Sequence, residues 1–358
     1  MFQAIYIASF LMTCSGNLLT IALTLFLSKE KNCGPLIIGL VGFTINFIYT
    51  ISTLLLARYP LKNKIFIYAP LIIGINYFLL FFSPLPLIFI FLFIGGTFLG
   101  LFWPSVQRCF ADTKDDIKIG IFNLSWSAGV ICGTFLSGFI YGLNPHLPAF
   151  IIILLEILAF FILIKNRSTL SFHTINSPSS KITEVQVLPI KIIKKVRLVH
   201  FLHFFASGAV FFLYPKLGLM KGFNPQFIGI TIGMLFVSRF ITFSLLMDKS
   251  LILYPANYIL VCIFLFISCI TIGLSNHPFI ILSSVIIMGI AGAFSYHNSL
   301  HMHIKYNLKT EIHEGIIGAG AFVGSITAGL LGEFINLPMA YVIIGSLILI
   351  TGLYIHRY

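Results

Sequence analysis

The sequence predicts an all-α polytopic membrane protein, twelve transmembrane helices arranged as two pseudo-symmetric six-helix bundles. Three observations carry this: the composition, the length of the apolar runs, and the alternation of basic and non-basic loops. Of 358 residues, 58% are hydrophobic and 9% charged, against roughly 25% charged in an ordinary soluble domain. Runs such as Leu85 to Leu101 and Ala256 to Gly273 approach the ~20 helical residues that cross a bilayer. They are continuously apolar, whereas a barrel strand alternates over about ten residues. Only helices then satisfy their own backbone hydrogen bonds in lipid.

Breaking the apolar runs at polar or Pro/Gly clusters places the spans near residues 3–27, 36–57, 64–82, 85–108, 118–141, 148–165, 198–219, 225–247, 253–275, 278–305, 313–335 and 338–356. The opening Met1 to Gly16 lacks the basic n-region of a signal peptide, so it is read as the first span. Spans three and four are joined by Ser83-Pro84, five and six by Asn144 to Pro148, nine and ten by Asn276 to Pro278, and eleven and twelve by Asn336 to Pro338. These are turn residues with little else, and they leave no outer domain to bind a ligand. The connection from Asn166 to Val196 is long and rich in Ser, Thr, Lys and Pro, as a flexible linker would be. It divides the chain into a six-helix bundle over 1–165, a linker over 166–197 and a second bundle over 198–358.

The net charge of +12 would suggest nucleic acid on a soluble protein; here its distribution sets topology. With both termini cytoplasmic, seventeen Lys and Arg fall on inner segments and four (Lys29, Lys31, Lys216, Lys221) on outer ones, with Arg239 inside a span. That asymmetry is the positive-inside pattern. It predicts a multi-pass protein of a cell membrane, a bacterial inner membrane given the short loops. The six cysteines form no CxxC pair, so neither a disulfide framework nor a zinc site is expected. No phosphate-binding GxxxxGK[ST] loop is present. No cofactor, metal or nucleic-acid partner is expected, and the chain is expected to act as a monomer.

The two halves repeat. Gly95 aligns with Gly289 and Ser105 with Ser299 at a spacing of 194; with one added residue Gly120 meets Gly315, Gly129 meets Gly324, and Leu147-Pro148 finally meets Leu337-Pro338. A parallel repeat of this kind is what transporters use to alternate access around a site between the halves. Span five carries Gly129 and Gly133 and span eleven Gly320 and Gly324, small residues on one face that let helices approach closely in lipid. They serve static packing, or smooth faces on which the halves rock, or both.

Twelve spans in a six plus six layout, a basic central linker and the parallel repeat resemble the major facilitator superfamily over nearly the whole chain. Arg239-Phe240 followed by Asp248-Lys249 is similar to the second-half copy of that superfamily's loop motif, whose acidic and basic cluster latches the cytoplasmic gate. In the first-half copy, Ala57-Arg58-Tyr59-Pro60-Leu61-Lys62, Arg58 and Lys62 remain but Ala57 stands where the acid would be. Span five is similar to the antiporter motif without the proline after Gly133. The resemblance implies spans 1, 4, 7 and 10 lining a central cavity, spans 2, 5, 8 and 11 flanking it, and the rest facing outward. It implies secondary active transport of a small solute by alternating access, proton-driven in our reading. The rival readings are a polytopic membrane enzyme acting on lipid-linked substrates and a receptor or scaffold that has lost transport.

Polar residues at depth on the lining and flanking spans are the candidate site. Asn17, Trp103, Gln107, Asn123 and Trp126 share one wall; Trp103 and Gln107 are one turn apart. The two tryptophans could stack on an aromatic or cationic solute, or belong to the interfacial belt. Arg239, costly at depth, needs a partner: an anionic substrate, or a structural pair with Asp248 or another helix end. His297 and His301 lie one turn apart on span ten, near Glu314, and imidazole titrates near neutrality. Substrate binding by His297 and proton coupling by His297, His301 and Glu314 are the functional reading; a metal site on the same spacing or wet interfacial histidines are the others. Glu156 falls in the middle of outward-facing span six, either protonated in lipid or turned toward a neighbouring helix.

Overall fold

In a computed structural model, residues 2–58, 64–111, 116–168, 189–246, 255–306 and 308–357 are described. Among them all regular structure is helical: α1 Phe2–Lys29, α2 Pro35–Arg58, a 3₁₀ turn Lys64–Ile67 leading into α3 Ala69–Leu80, α4 Leu85–Ala111, α5 Asp116–Leu143, α6 Leu147–Lys165, α7 Ile190–Met220, α8 Pro225–Leu246, α9 Pro255–Leu274, α10 Pro278–Lys305, α11 Thr310–Phe334 and α12 Leu337–Arg357. Each predicted span has its helix. The calls on Asp248 and Lys249 lie outside the described residues, as does the side chain of Arg58.

The largest departure is at α7, which begins at Ile190 rather than near 198. Lys191, Lys194, Lys195 and Arg197 therefore stand on its first two turns. Pro189, just before the helix, supplies a residue that cannot extend it backward as a hydrogen-bond donor.

Packing repeats what the sequence repeats. In the first half α1 packs on α5, α2 on α4 and α3 on α6; in the second α7 packs on α11, α8 on α10 and α9 on α12. Between the halves α2 meets α11 and α5 meets α8, two contacts that exchange under the same pseudo-two-fold. The innermost helices are α7 and α1, whose most apolar windows are 78% and 67% buried, against 33% for α4 and α6. Outward faces carry side chains such as Phe93, Leu154 and Phe161, all more than half exposed, an apolar surface fit for lipid.

Glycines set the closeness. A Cβ on Gly129 would run into Phe10 O and Thr13 Oγ1 of α1, and one on Gly133 into Cys14 O. Their repeat partners do the same against α7: a Cβ on Gly324 would run into Phe205 O, and one on Gly320 would lie 2.6 Å from Phe201 O. All four glycines thus pack inside a half, which corrects the idea that they form the surface on which the halves rock. The glycines between halves are others: Gly39 against Gly329 and Ser325, and Gly229 against Gly138 and Thr134.

Two polar ties also join the halves on the face opposite the termini. Lys216 Nζ donates to Cys33 O at 2.7 Å, and the Leu36 N–H at the start of α2 donates to Glu333 Oε2 at 3.1 Å. There Glu333 also meets the positive end of the α2 dipole. On the same face Lys221, just past α7, donates to the carbonyls of Ile272, Gly273 and Ser275. It satisfies the free end of α9, and burial holds its ammonium below the usual lysine value.

Glu156 takes the second of its two readings. It is fully buried, accepts a hydrogen bond from Ser15 Oγ of α1, and packs against Gly74 of α3, so α6 turns it inward.

Gly324→Val is expected to cost about 1–3 kcal/mol through overpacking against α7, read as a fall in thermal midpoint in detergent. Gly16→Ala, whose Cβ would meet nothing within 4 Å, should leave the midpoint unchanged.

Candidate functional site

Close packing of α1 on α5 and of α7 on α11 leaves the axis between the halves unfilled. A cavity of about 290 Å³ lies there, lined by α1, α2, α3, α4 and α5 from one half and by α7, α8, α10 and α11 from the other. That is near the lower end of ligand-site volumes, roughly 300–1,000 Å³, so the solute it fits is small. Its residues run from mid-helix, at Asn17, Asn46 and Phe211, toward the termini-bearing face, at Gln107, Tyr296 and Glu314.

The first half supplies a neutral, aromatic wall. Asn17 donates to Thr13 O at 2.9 Å and Asn46 to Gly42 O at 2.8 Å, each fixed one turn back on its own helix. Trp103 stands edge-on to Phe102 at 5.1 Å between ring centroids. The Trp126 indole N–H donates to Asn123 Oδ1 at 3.1 Å; Asn123 stands beside the cavity lining and orients one of its rings. Trp126 also reaches across to Tyr296 of the second half, with centroids 5.8 Å apart.

The second half supplies the charge. Arg239 lines the cavity and is 4% exposed. Its guanidinium carbon sits 4.7 Å from the Tyr296 ring centroid, 5.3 Å from Phe243 and 5.7 Å from Phe204. Such a cage returns part of the cost of desolvating a cation. Among the described residues its Nε and Nη2 have no hydrogen-bond partner and no carboxylate pairs with it.

Glu314 lines the same cavity. Tyr49 Oη of α2 donates to its Oε2 at 2.6 Å and Gln107 Nε2 of α4 donates to its Oε1 at 2.7 Å. A carboxyl carried by the second half is thus held by two donors from the first.

Of the residues singled out from sequence, Asn17, Trp103, Gln107, Trp126, Arg239 and Glu314 come together around the cavity. His297 and His301 do not; they stack on one another on α10, centroids 5.9 Å apart, outside the lining. Tyr49 and Tyr296 were not singled out. Asn46 and Tyr49 one turn apart on a flanking span were a legible signal for the first; Tyr296 carried no signal beyond standing next to His297. Among the described residues no three His, Cys, Asp or Glu side chains are placed to hold a metal ion.

Comparison with known proteins follows the same lines. Residues 5–307 match the family model of the Major Facilitator Superfamily. Among curated proteins none matches the sequence. Among solved structures, a POT family transporter in complex with 5-aminolevulinic acid is 11% identical with a TM-score of 0.76, covering 99% of this chain and 95% of that one. The nucleoside transporter NupG is 14% identical with a TM-score of 0.71, covering 100% and 99%. A bacterial homologue of the human lysosomal transporter Spinster, inward-facing and occupied, is 10% identical with a TM-score of 0.70, covering 99% and 95%.

Tyr49→Phe removes one of the two bonds that hold a buried carboxyl between the halves. A hydrogen bond to a charged group is worth about 1.5–3 kcal/mol, so a lower thermal midpoint in detergent is expected. A midpoint equal to wild type contradicts the tie.

Proposed function

The chain belongs to the Major Facilitator Superfamily and is a multi-pass membrane transporter of a small molecule, and on that premise we propose that it carries a small organic anion with an aromatic or apolar body, together with a proton. The observation that carries this reading is Arg239, a buried cation on the cavity wall with no carboxylate partner among the described residues. A charge in a membrane span costs on the order of 3 kcal/mol on insertion scales. The aromatic cage offsets part of that, and an anionic solute supplies the rest. The unpartnered Nε and Nη2 form one edge of the guanidinium fork, the edge that grips a carboxylate with two parallel hydrogen bonds. Trp103, Trp126, Phe211 and Phe236 around it suit an apolar or planar body.

Glu314 supports the coupling to protons. An ionised carboxylate in the same small cavity opposes a second anion; a proton on it removes the repulsion. Proton and anion then enter and leave together, which is symport. His297 and His301, stacked outside the cavity, take no part in this reading. Access alternates as the halves re-pack along α2–α11 and α5–α8, and the basic termini face is assigned to the cytoplasm on the loop charges.

The fold neighbours add a sensible panel without deciding within it. Purified protein should be screened by thermal shift at acidic and neutral pH against benzoate, 5-aminolevulinic acid, uridine, a dipeptide and glucose. A ligand at a hundred times its dissociation constant stabilises by about 2.7 kcal/mol. Carboxylates, benzoate foremost, are expected to stabilise more at acidic pH, and Arg239→Gln to abolish the shift. A response to uridine or glucose that survives Arg239→Gln overturns the anion reading.

A further inference from the structure

Behind the cavity wall, the second half holds a polar seam that the transport reading does not use. His200, His203 and Ser207 follow one another along α7; Ser299 and His303 face them from α10, and His313 from α11. All four imidazoles have no exposed surface. His313 stacks on His200 at 4.6 Å between centroids, with planes within 12°; His303 lies 5.6 Å from His313 and His203 lies 6.3 Å from His200.

The hydrogen bonds give the seam a direction. His303 Nδ1 lies 2.7 Å from Ser299 O; a carbonyl only accepts, so Nδ1 carries the proton. His303 Nε2 is then the acceptor for Arg197 Nη2, 3.3 Å away. Ser299 Oγ pairs with His313 Nδ1 at 2.9 Å and Ser295 Oγ with His200 Nδ1 at 3.4 Å. Among the described residues, His200 Nε2, both nitrogens of His203, His313 Nε2 and Ser207 Oγ are buried with no partner.

Five unpartnered polar atoms in one buried cluster call for bridging water, since native interiors rarely leave such groups unsatisfied. A metal ion is a poor substitute: among the described residues no three ligands converge, and Arg197 and Arg239 flank the cluster with positive charge. Gly292 of α10 lets the His203 ring lie directly against that helix, for a Cβ there would run into His203 Nε2.

We propose that this seam is a hydrated proton path from the termini-bearing face to the back of the cavity wall. A neutral imidazole presents one donor and one acceptor nitrogen. It takes a proton at one and releases one from the other, which leaves its charge unchanged and its tautomer exchanged; turning the ring over, or returning the proton through bridging water, resets it for the next transfer. From Arg197 to Ser207 α7 advances ten residues, about 15 Å at 1.5 Å per residue, half of the ~30 Å hydrocarbon core. The groups that bear on the seam are Arg197 of α7, Arg239 of α8, Tyr296 of α10 and Glu314 of α11. Tyr296 separates seam from cavity, 5.0 Å from the His313 ring and 5.8 Å from that of His200. His313 and Glu314 are consecutive on α11, the first in the seam and the second in the cavity lining.

The destination of the path rests on the proposed role of Glu314, so the test separates the two. Full-length protein with ¹⁵N-labelled histidine in liposomes should show, by water-edited solid-state NMR, magnetisation passing from water to the imidazoles of His200, His203, His303 and His313; a dry set overturns the seam with no variant needed. In His313→Phe the water signal at His203 should fall at least threefold while that at His303 persists, and a His203 that stays wet overturns the route. Proton arrival is read without solute, by stopped-flow pH jump and tryptophan fluorescence, since both tryptophans line the cavity with Glu314. Wild type should show a step that Glu314→Gln removes and His200→Gln slows at least tenfold. A wild type without a step overturns Glu314 as the acceptor and takes the path's destination with it. A step as fast in His200→Gln as in wild type overturns the seam alone.

Discussion

Lipid gives two apolar helices no hydrophobic reason to associate, so the bundle depends on backbones brought into direct contact. Gly129 and Gly133 let α5 lie on α1, and Gly320 and Gly324 let α11 lie on α7. Each half is thereby built around its first helix, and α1 and α7 become the inner staves of the molecule. Between the halves, Gly39 against Gly329 and Gly138 against Gly229 give two smooth seams related by the pseudo-two-fold. Bulkier side chains there would interlock. Small ones leave two flat surfaces on either side of a cavity, which is the arrangement a rocking motion needs.

The halves share an architecture and divide the chemistry. The first lines the cavity with amides, hydroxyls and tryptophans; the second brings Arg239, Glu314 and, behind them, four buried histidines. Because Tyr49 and Gln107 hold Glu314 from the other half, any separation of α11 from α2 and α4 changes the bonding of that carboxyl. In the proposed symport, motion and protonation are linked through those two donors. The Lys216–Cys33 and Glu333–Leu36 bonds on the opposite face are separate ties that opening there would have to break.

The spans were legible because they are long, apolar and punctuated by Pro, Asn and Ser. Six residues of the cavity lining were legible too, as polar or aromatic positions on spans with little other reason to carry them. What escaped the sequence was rotation. Apolar periodicity is weak in helices bathed in lipid on one side and packed by apolar neighbours on the other, so it does not say which way a residue points. Glu156 turns inward to Ser15 and Gly74 on a helix expected to face outward. His200, His203, His303 and His313 stand near helix ends where wet surroundings are expected, yet all are sealed between α7, α10 and α11. The early start of α7 contributes, adding two turns below His200 and placing it deeper than a span beginning near 198 would.

In the proposed mechanism one cavity binds an anion at Arg239 and a proton at Glu314. The measurement that tests it most directly compares gradient-driven accumulation with solute exchange, in proteoliposomes of Glu314→Gln and wild type, using labelled benzoate. A permanently neutral side chain should leave exchange near the wild-type rate, since exchange moves no net proton, and should abolish accumulation driven by a pH gradient. Accumulation by Glu314→Gln equal to that of wild type would contradict the account.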